Sequence, residues 1–131
     1  MSAGAVRTQV RTWAAEVATS TGVPFYDTVN VEVNPTDNVW WTVEFNAEFH
    51  EGTFCEPGYI EQGFIDCIVI AQPGRGDTAA IAALEQIVPA MMAKTGSKVE
   101  LVNYEPIGEM TNGSADQTYR VRSIINYAYS L

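Results

Sequence analysis

Hydrophobic and polar positions alternate strictly from Val39 to Phe49. Val39, Trp41, Val43, Phe45, Ala47 and Phe49 share one parity, and Trp40, Thr42, Glu44, Asn46 and Glu48 share the other. Alternation of period two predicts a strand with one buried and one polar face. Tyr59–Ala71 predicts a second long strand. Its end, from Phe64 to Ile70, is nearly continuous in apolar residues, as expected of a central strand covered on both faces. Shorter strands are predicted at residues 25–33, where Val29, Val31 and Val33 alternate with polar residues, and at Val99–Tyr104. A closing strand at residues 118–129 sets Tyr119, Val121, Ile125, Tyr127 and Tyr129 against Arg120, Arg122 and Asn126. Residues 34–38, 50–58, 72–76 and 106–115 carry turn chemistry and are predicted loops.

Two segments have helical period instead. Val6, Val10, Trp13 and Val17 form one stripe, with Ser2 placed to cap the start and Gly22 the end. Arg7 and Arg11 are expected on a wet flank of this helix. Ala80, Ile81, Leu84, Ile87, Val88, Met91 and Met92 form the second stripe, with Asp77 as the expected cap and Gly96 as the stop. Pro89 falls inside this stripe and is expected to kink or split the helix, because proline cannot donate to the preceding turn. The predicted order is α-β-β-β-α-β-β. Each helix has one apolar stripe and needs a sheet to cover. The expected architecture is therefore α+β: a two-layer sandwich with a mixed, mostly antiparallel sheet and two helices packed on it. A length of 131 residues, 47% of them hydrophobic, fits one domain over residues 1–131 with a real core.

The charge changes the picture more than the composition does. The formal net charge is −9, and no Lys or Arg occurs between Arg11 and Arg75. That stretch holds Glu16, Asp27, Glu32, Asp37, Glu44, Glu48, Glu51, Glu56, Glu61 and Asp66. Such a chain repels phosphate backbones and anionic membranes, so neither nucleic acid nor a membrane is expected as a partner. A solvated acidic face that confers solubility is one reading, and a surface complementary to a basic partner is the other. No apolar run approaches the roughly 20 residues that span a bilayer. The opening residues lack a signal-peptide core, which predicts a cytosolic setting and reduced thiols at Cys55 and Cys67.

Reactive residues do not group in the sequence. His50 is the lone histidine. With Cys55 and Cys67 it gives too few ligands for a zinc site, and no cofactor is expected. Cys67 lies in an apolar strand that disfavours a thiolate, and Cys55 lies in a loop with no orienting third group. Glu44 and Glu48 share a polar strand face that reads as solvated surface. Glu61 and Asp66 fall on opposite faces by parity. Residues 73–77 resemble an anion-binding turn but lack the lysine and spacing of a phosphate loop. The chain is not expected to be an enzyme. The long strands, Trp40 on a polar face and the terminal Tyr127 and Tyr129 favour oligomer contacts instead, although cover by a helix would also account for Trp40.

Three stretches carry a family resemblance. They are Gly63-Phe64-Ile65-Asp66-Cys67-Ile68-Val69-Ile70-Ala71-Gln72-Pro73-Gly74-Arg75-Gly76, the closing Tyr119-Arg120-Val121-Arg122-Ser123-Ile124-Ile125-Asn126-Tyr127, and the opening helix followed by Gly22-Val23-Pro24-Phe25. Together the pattern resembles the tail-terminator, or tail-completion, proteins of long-tailed phages with non-contractile tails. The resemblance implies a virion protein assembled in the bacterial host cytoplasm. It would form a ring, commonly a hexamer, on the tail tube protein, stop tube polymerisation and offer a surface to the head–tail connector. It implies no catalytic residue and no cofactor. A ring needs head-to-tail contacts that close. The expected contact residues are His50, Glu51, Thr53, Phe54 and Glu56 in the arm, Arg75, and Arg120 and Arg122 facing the acidic block of a neighbour. The alternatives are another head–tail connector or minor tail protein, or a small-ligand binding module.

Overall fold

A computed structural model describes residues 4–27, 37–49, 59–73, 77–114 and 117–130. The element order is α1 (Gly4–Thr21), β1 (Val39–Phe49), β2 (Tyr59–Ala71), α2 (Thr78–Met92), β3 (Val99–Tyr104), β4 (Gly108–Ser114) and β5 (Gln117–Ser130). The fold is α+β, with helices packed on a sheet. The sheet runs β1-β2-β5-β3, all neighbours antiparallel, and β4 also pairs with β5. Within these pairs the sheet is antiparallel rather than mixed. The parallel contact among the described residues is a single bridge between Phe25 and Trp41. The rest of the predicted strand at residues 25–33 falls largely outside the described residues, as does Ser2.

The long strands form where the alternation predicts them, and register explains the core. Trp41 lies opposite Val69 and Val69 opposite Val121; Phe45, Ile65 and Ile125 form a second such row. These rows face the helices. They pack with Val6, Val10, Trp13, Ala14 and Val17 of α1 and with Ala80, Ala83, Leu84, Ile87, Val88 and Met91 of α2. β2 is buried on both faces: Ile65, Cys67 and Val69 face the helices, and Ile68 and Ile70 face away. Tyr127 and Tyr129 are core residues, not surface contacts, because their parity places them on the helix side. Arg7 and Arg11 are not on a wet flank either. Their guanidinium groups stack 4.9 and 5.3 Å from the Phe45 ring centroid, so α1 covers this end of β1 with cation–π contacts. Arg11 Nε also lies 2.9 Å from Asp27 Oδ2.

The ends of the helices differ in detail from the sequence expectation. Gly22 closes α1 at φ +77°, a conformation that favours glycine, and its N–H donates to the Ala18 carbonyl. Asp77 occupies the cap position of α2 without a side-chain cap bond; Thr78 Oγ1 donates to its carboxylate at 3.4 Å. Pro89 leaves α2 unsplit over 15 residues. Pro89 and Glu85 are both exposed, so the carbonyl that loses its donor lies on a face open to water. The helix ends at Met92, before Gly96. Gly96 serves a close approach instead: a Cβ there would meet the Trp13 ring at 3.0 Å.

The largest difference is at residues 106–115, predicted as a loop. Gly108–Ser114 is strand β4. β3 pairs with the C-terminal half of β5 and β4 with its N-terminal half, so the two form one edge interrupted at Glu105–Ile107. Glu105 bridges the interruption: its N–H donates to the Ile124 carbonyl at 2.8 Å, and Ser123 Oγ donates to the Glu105 carbonyl at 2.8 Å. Local turn signals (Pro106 and Asn112-Gly113-Ser114) mask a strand that the long β5 templates by tertiary pairing.

Candidate functional site

Of the eight predicted contact residues, His50, Glu51, Thr53, Phe54, Glu56 and Arg75 lie outside the described residues. Arg120 and Arg122 are brought together on β5, on the face turned away from the helices. Alternation puts both on this face, opposite Ile70 and Ile68 of β2. Arg120 is exposed. Arg122 is half-buried, and its Nη1 lies 3.5 Å from Asp66 Oδ1. Asp66 is buried, and its carboxyl is pushed above the usual carboxylate range. Burial is the main cause; Glu44 and Glu105 add to it and Arg122 opposes it. Arg122 is therefore the counter-charge of Asp66 within the fold, with its side chain still partly exposed.

Glu61 and Asp66 do fall on opposite faces. Glu61 is buried on the helix side, where the Tyr127 hydroxyl donates to Glu61 Oε2 at 2.7 Å. Cys67 is fully buried, and burial followed by the nearby Asp66 charge pushes its thiol up to about 12. A thiol held so far from ionisation is a core side chain rather than a nucleophile. Among the described residues no three His, Cys, Asp or Glu side chains converge as metal ligands. No helix of the described residues is long and apolar enough to cross a membrane.

The feature that sequence reasoning missed is the outer edge formed by β3 and β4. A bulge between Leu101 and Asn103 resets the parity of β3. Leu101 faces the helices opposite Tyr127. After the extra residue Val102, Asn103 faces away, bonded to Asn126 at 2.6 Å, and Tyr104 returns to the helix side opposite Ile125. Val102, Tyr104 and Ile107 are the exposed large hydrophobics among the described residues, at 50%, 55% and 37% exposure. All three lie on this one edge. Between it and α2 opens a groove of about 290 Å³ lined by Leu84, Glu85, Val88, Pro89, Tyr104 and Ile107. The signal available in the sequence was the run Leu101-Val102-Asn103-Tyr104, whose apolar residues fall on both parities.

Trp40 is half-buried on the face turned away from the helices. Among the described residues no helix covers it; it packs edge-on against Tyr26, with ring centroids 5.7 Å apart at 82°. Comparison with known proteins adds no family: no family model matches the chain, and no curated protein matches it.

Proposed function

We propose that this chain is a structural assembly subunit of the phage tail-terminator type. In this reading it forms a ring on the tail tube protein, stops tube growth and presents a joining surface to the head–tail connector. The observation that carries the reading is the concentration of exposed apolar side chains, Val102, Tyr104 and Ile107, on one sheet edge that pairs with no further strand among the described residues. Exposed strand edges template pairing with another chain, and natural proteins leave them open where a partner docks. The test is deletion of the gene in a phage that carries it, followed by electron microscopy. Overlong tails without heads are the expected outcome; tails of normal length joined to heads would remove the reading.

The groove beside α2 favours a second reading, a small-ligand binding module. Its volume is close to the lower bound of about 300 Å³ for ligand sites. A ligand that raises the melting temperature of the isolated chain, and loses that effect when Ile107 is replaced by Lys, would favour this reading.

A further inference from the structure

The β3–β4 edge combines three properties. Its outer side pairs with no strand among the described residues, so its backbone can accept a further strand. The groove at its centre can take one apolar side chain between Tyr104, Ile107, Leu84 and Val88. Exposed acidic residues border the groove side of it: Glu85 and Glu105, with Glu100 further along β3, and neither α2 nor the stretch from Val99 to Ser114 contains a Lys or Arg; Lys98 precedes β3, and Arg120 and Arg122 lie across from β4 on the face turned away from the helices.

That charge decides which occupant fits. A second copy pairing edge to edge about a two-fold at the groove would set Glu105 against Glu105, and like charges opposed across strands destabilise pairing. The other outer strand, β1, carries Glu44 and Glu48 and no basic residue, so joining β1 of a copy to this edge meets the same repulsion. Several of the described basic residues are engaged within the chain: Arg11 with Asp27, Lys94 with Glu16 and Arg122 with Asp66.

We infer that the β3–β4 edge is a β-augmentation site for an extended basic segment of a different protein, which adds a strand along the edge and seats one apolar side chain in the groove. Backbone pairing supplies the affinity, the groove fixes register, and Lys or Arg flanking the anchor meet Glu85 and Glu105. This deepens the assembly reading, on which it rests, by assigning this edge to a non-self subunit and leaving self-contacts to other surfaces.

The test uses the whole chain and a fluorescein-labelled peptide, Lys-Thr-Lys-Val-Leu-Val-Lys-Thr-Lys. Its controls carry Glu for Lys, Ser for the central Leu, or backbone N-methylation at alternate residues. The expected result is binding in the range of about 10–100 μM. The Ser and N-methyl peptides should each lose about tenfold, and the Glu peptide should not bind. Glu85→Lys/Glu105→Lys, both at exposed positions, should weaken the Lys peptide about tenfold while leaving the urea midpoint unchanged. Hydrogen exchange at residues 102–107 should slow on binding. Three results overturn the inference: no binding at about 1 mM; equal binding of the Lys, Ser and N-methyl peptides, which marks diffuse charge attraction; or a dimer that Tyr104→Ser dissolves and the peptide does not displace. These results are independent of tail length in the deletion phage, so either reading can fail alone.

Discussion

Along β1 the chain lays residues 24–26 beside its own sheet: the Trp41 N–H donates to the Pro24 carbonyl at 2.9 Å, and the Tyr26 N–H donates to the Trp41 carbonyl at 3.0 Å. Phe25 stacks on Trp41 with centroids 4.8 Å apart, and Tyr26 covers Trp40. Along β3–β4, at the opposite side of the sheet, a bulge and Pro106 interrupt the strand and three apolar side chains remain exposed. Among the described residues one edge is covered at Trp41 by the chain's own backbone, and the other is left without such cover. The difference separates two placements of aromatic and aliphatic side chains: at β1 they pack into the fold, and at β3–β4 they stay exposed.

The comparison breaks most visibly at Trp41. This side chain is fully buried, donates from Nε1 to the Val23 carbonyl at 3.1 Å, and holds the covering segment in place. Trp41→Ala should destabilise the chain by about 3–5 kcal/mol, measured as a shift in the urea unfolding midpoint. It should also speed hydrogen exchange at Tyr26 and Trp41. A loss below about 1 kcal/mol would mean that the β1 edge is no better anchored than the β3–β4 edge.

The finished side was the readable one. Val39–Phe49 could be read from alternation, because a strand with one buried face must repeat every two residues, and Tyr59–Ala71 from a near-continuous apolar run set between turn-rich segments. The α2 stripe was equally plain, and Leu84, Ile87, Val88 and Met91 are all buried. The unfinished edge was not readable for two reasons. The bulge at Val102 shifts parity in mid-strand, which defeats a period-two reading, and β4 owes its strand conformation to pairing with β5 rather than to its own turn-forming residues. The burial of Tyr127 and Tyr129 depends on which face the helices cover, and alternation alone does not say.

A smaller effect is expected at Arg122, which tests whether the β5 arginines act inside the fold or toward a neighbour. The folded-state carboxyl of Asp66 titrates above its unfolded value of 3.8. Protonated Asp66 therefore favours the folded state at low pH. Stability falls as pH rises from 3.8 through the raised folded value, and the loss is complete above it. Arg122 limits that loss by favouring the ionised carboxylate. Arg122→Ala should extend the loss to higher pH, so its deficit against the parent chain should be small near pH 4 and larger at pH 7. Its guanidinium is partly exposed and solvent-screened, so the deficit should stay well below that of Trp41→Ala. Urea midpoints measured across this range check the trend, and a deficit independent of pH would return Arg122 to the list of outward-facing contacts.

The smallest effect on stability is expected at the unfinished edge itself. Val102 and Tyr104 are each at least half exposed, so replacing them removes little buried area. Val102→Thr and Tyr104→Ser should each change stability by no more than about 0.5 kcal/mol, since surface substitutions away from caps and cores rarely do more. The same two changes should matter to docking in unequal measure. Tyr104 faces the helix side and lines the groove, whereas Val102 points to the other face at the bulge. Tyr104→Ser should therefore weaken an apolar-anchored strand more than Val102→Thr does. An edge whose side chains are nearly silent in unfolding yet graded in binding by their place around the groove is a surface kept for a partner. Equal losses of several kcal/mol in unfolding would instead make Val102 and Tyr104 part of the core, and the two edges of the sheet would then differ only in how the chain covers them.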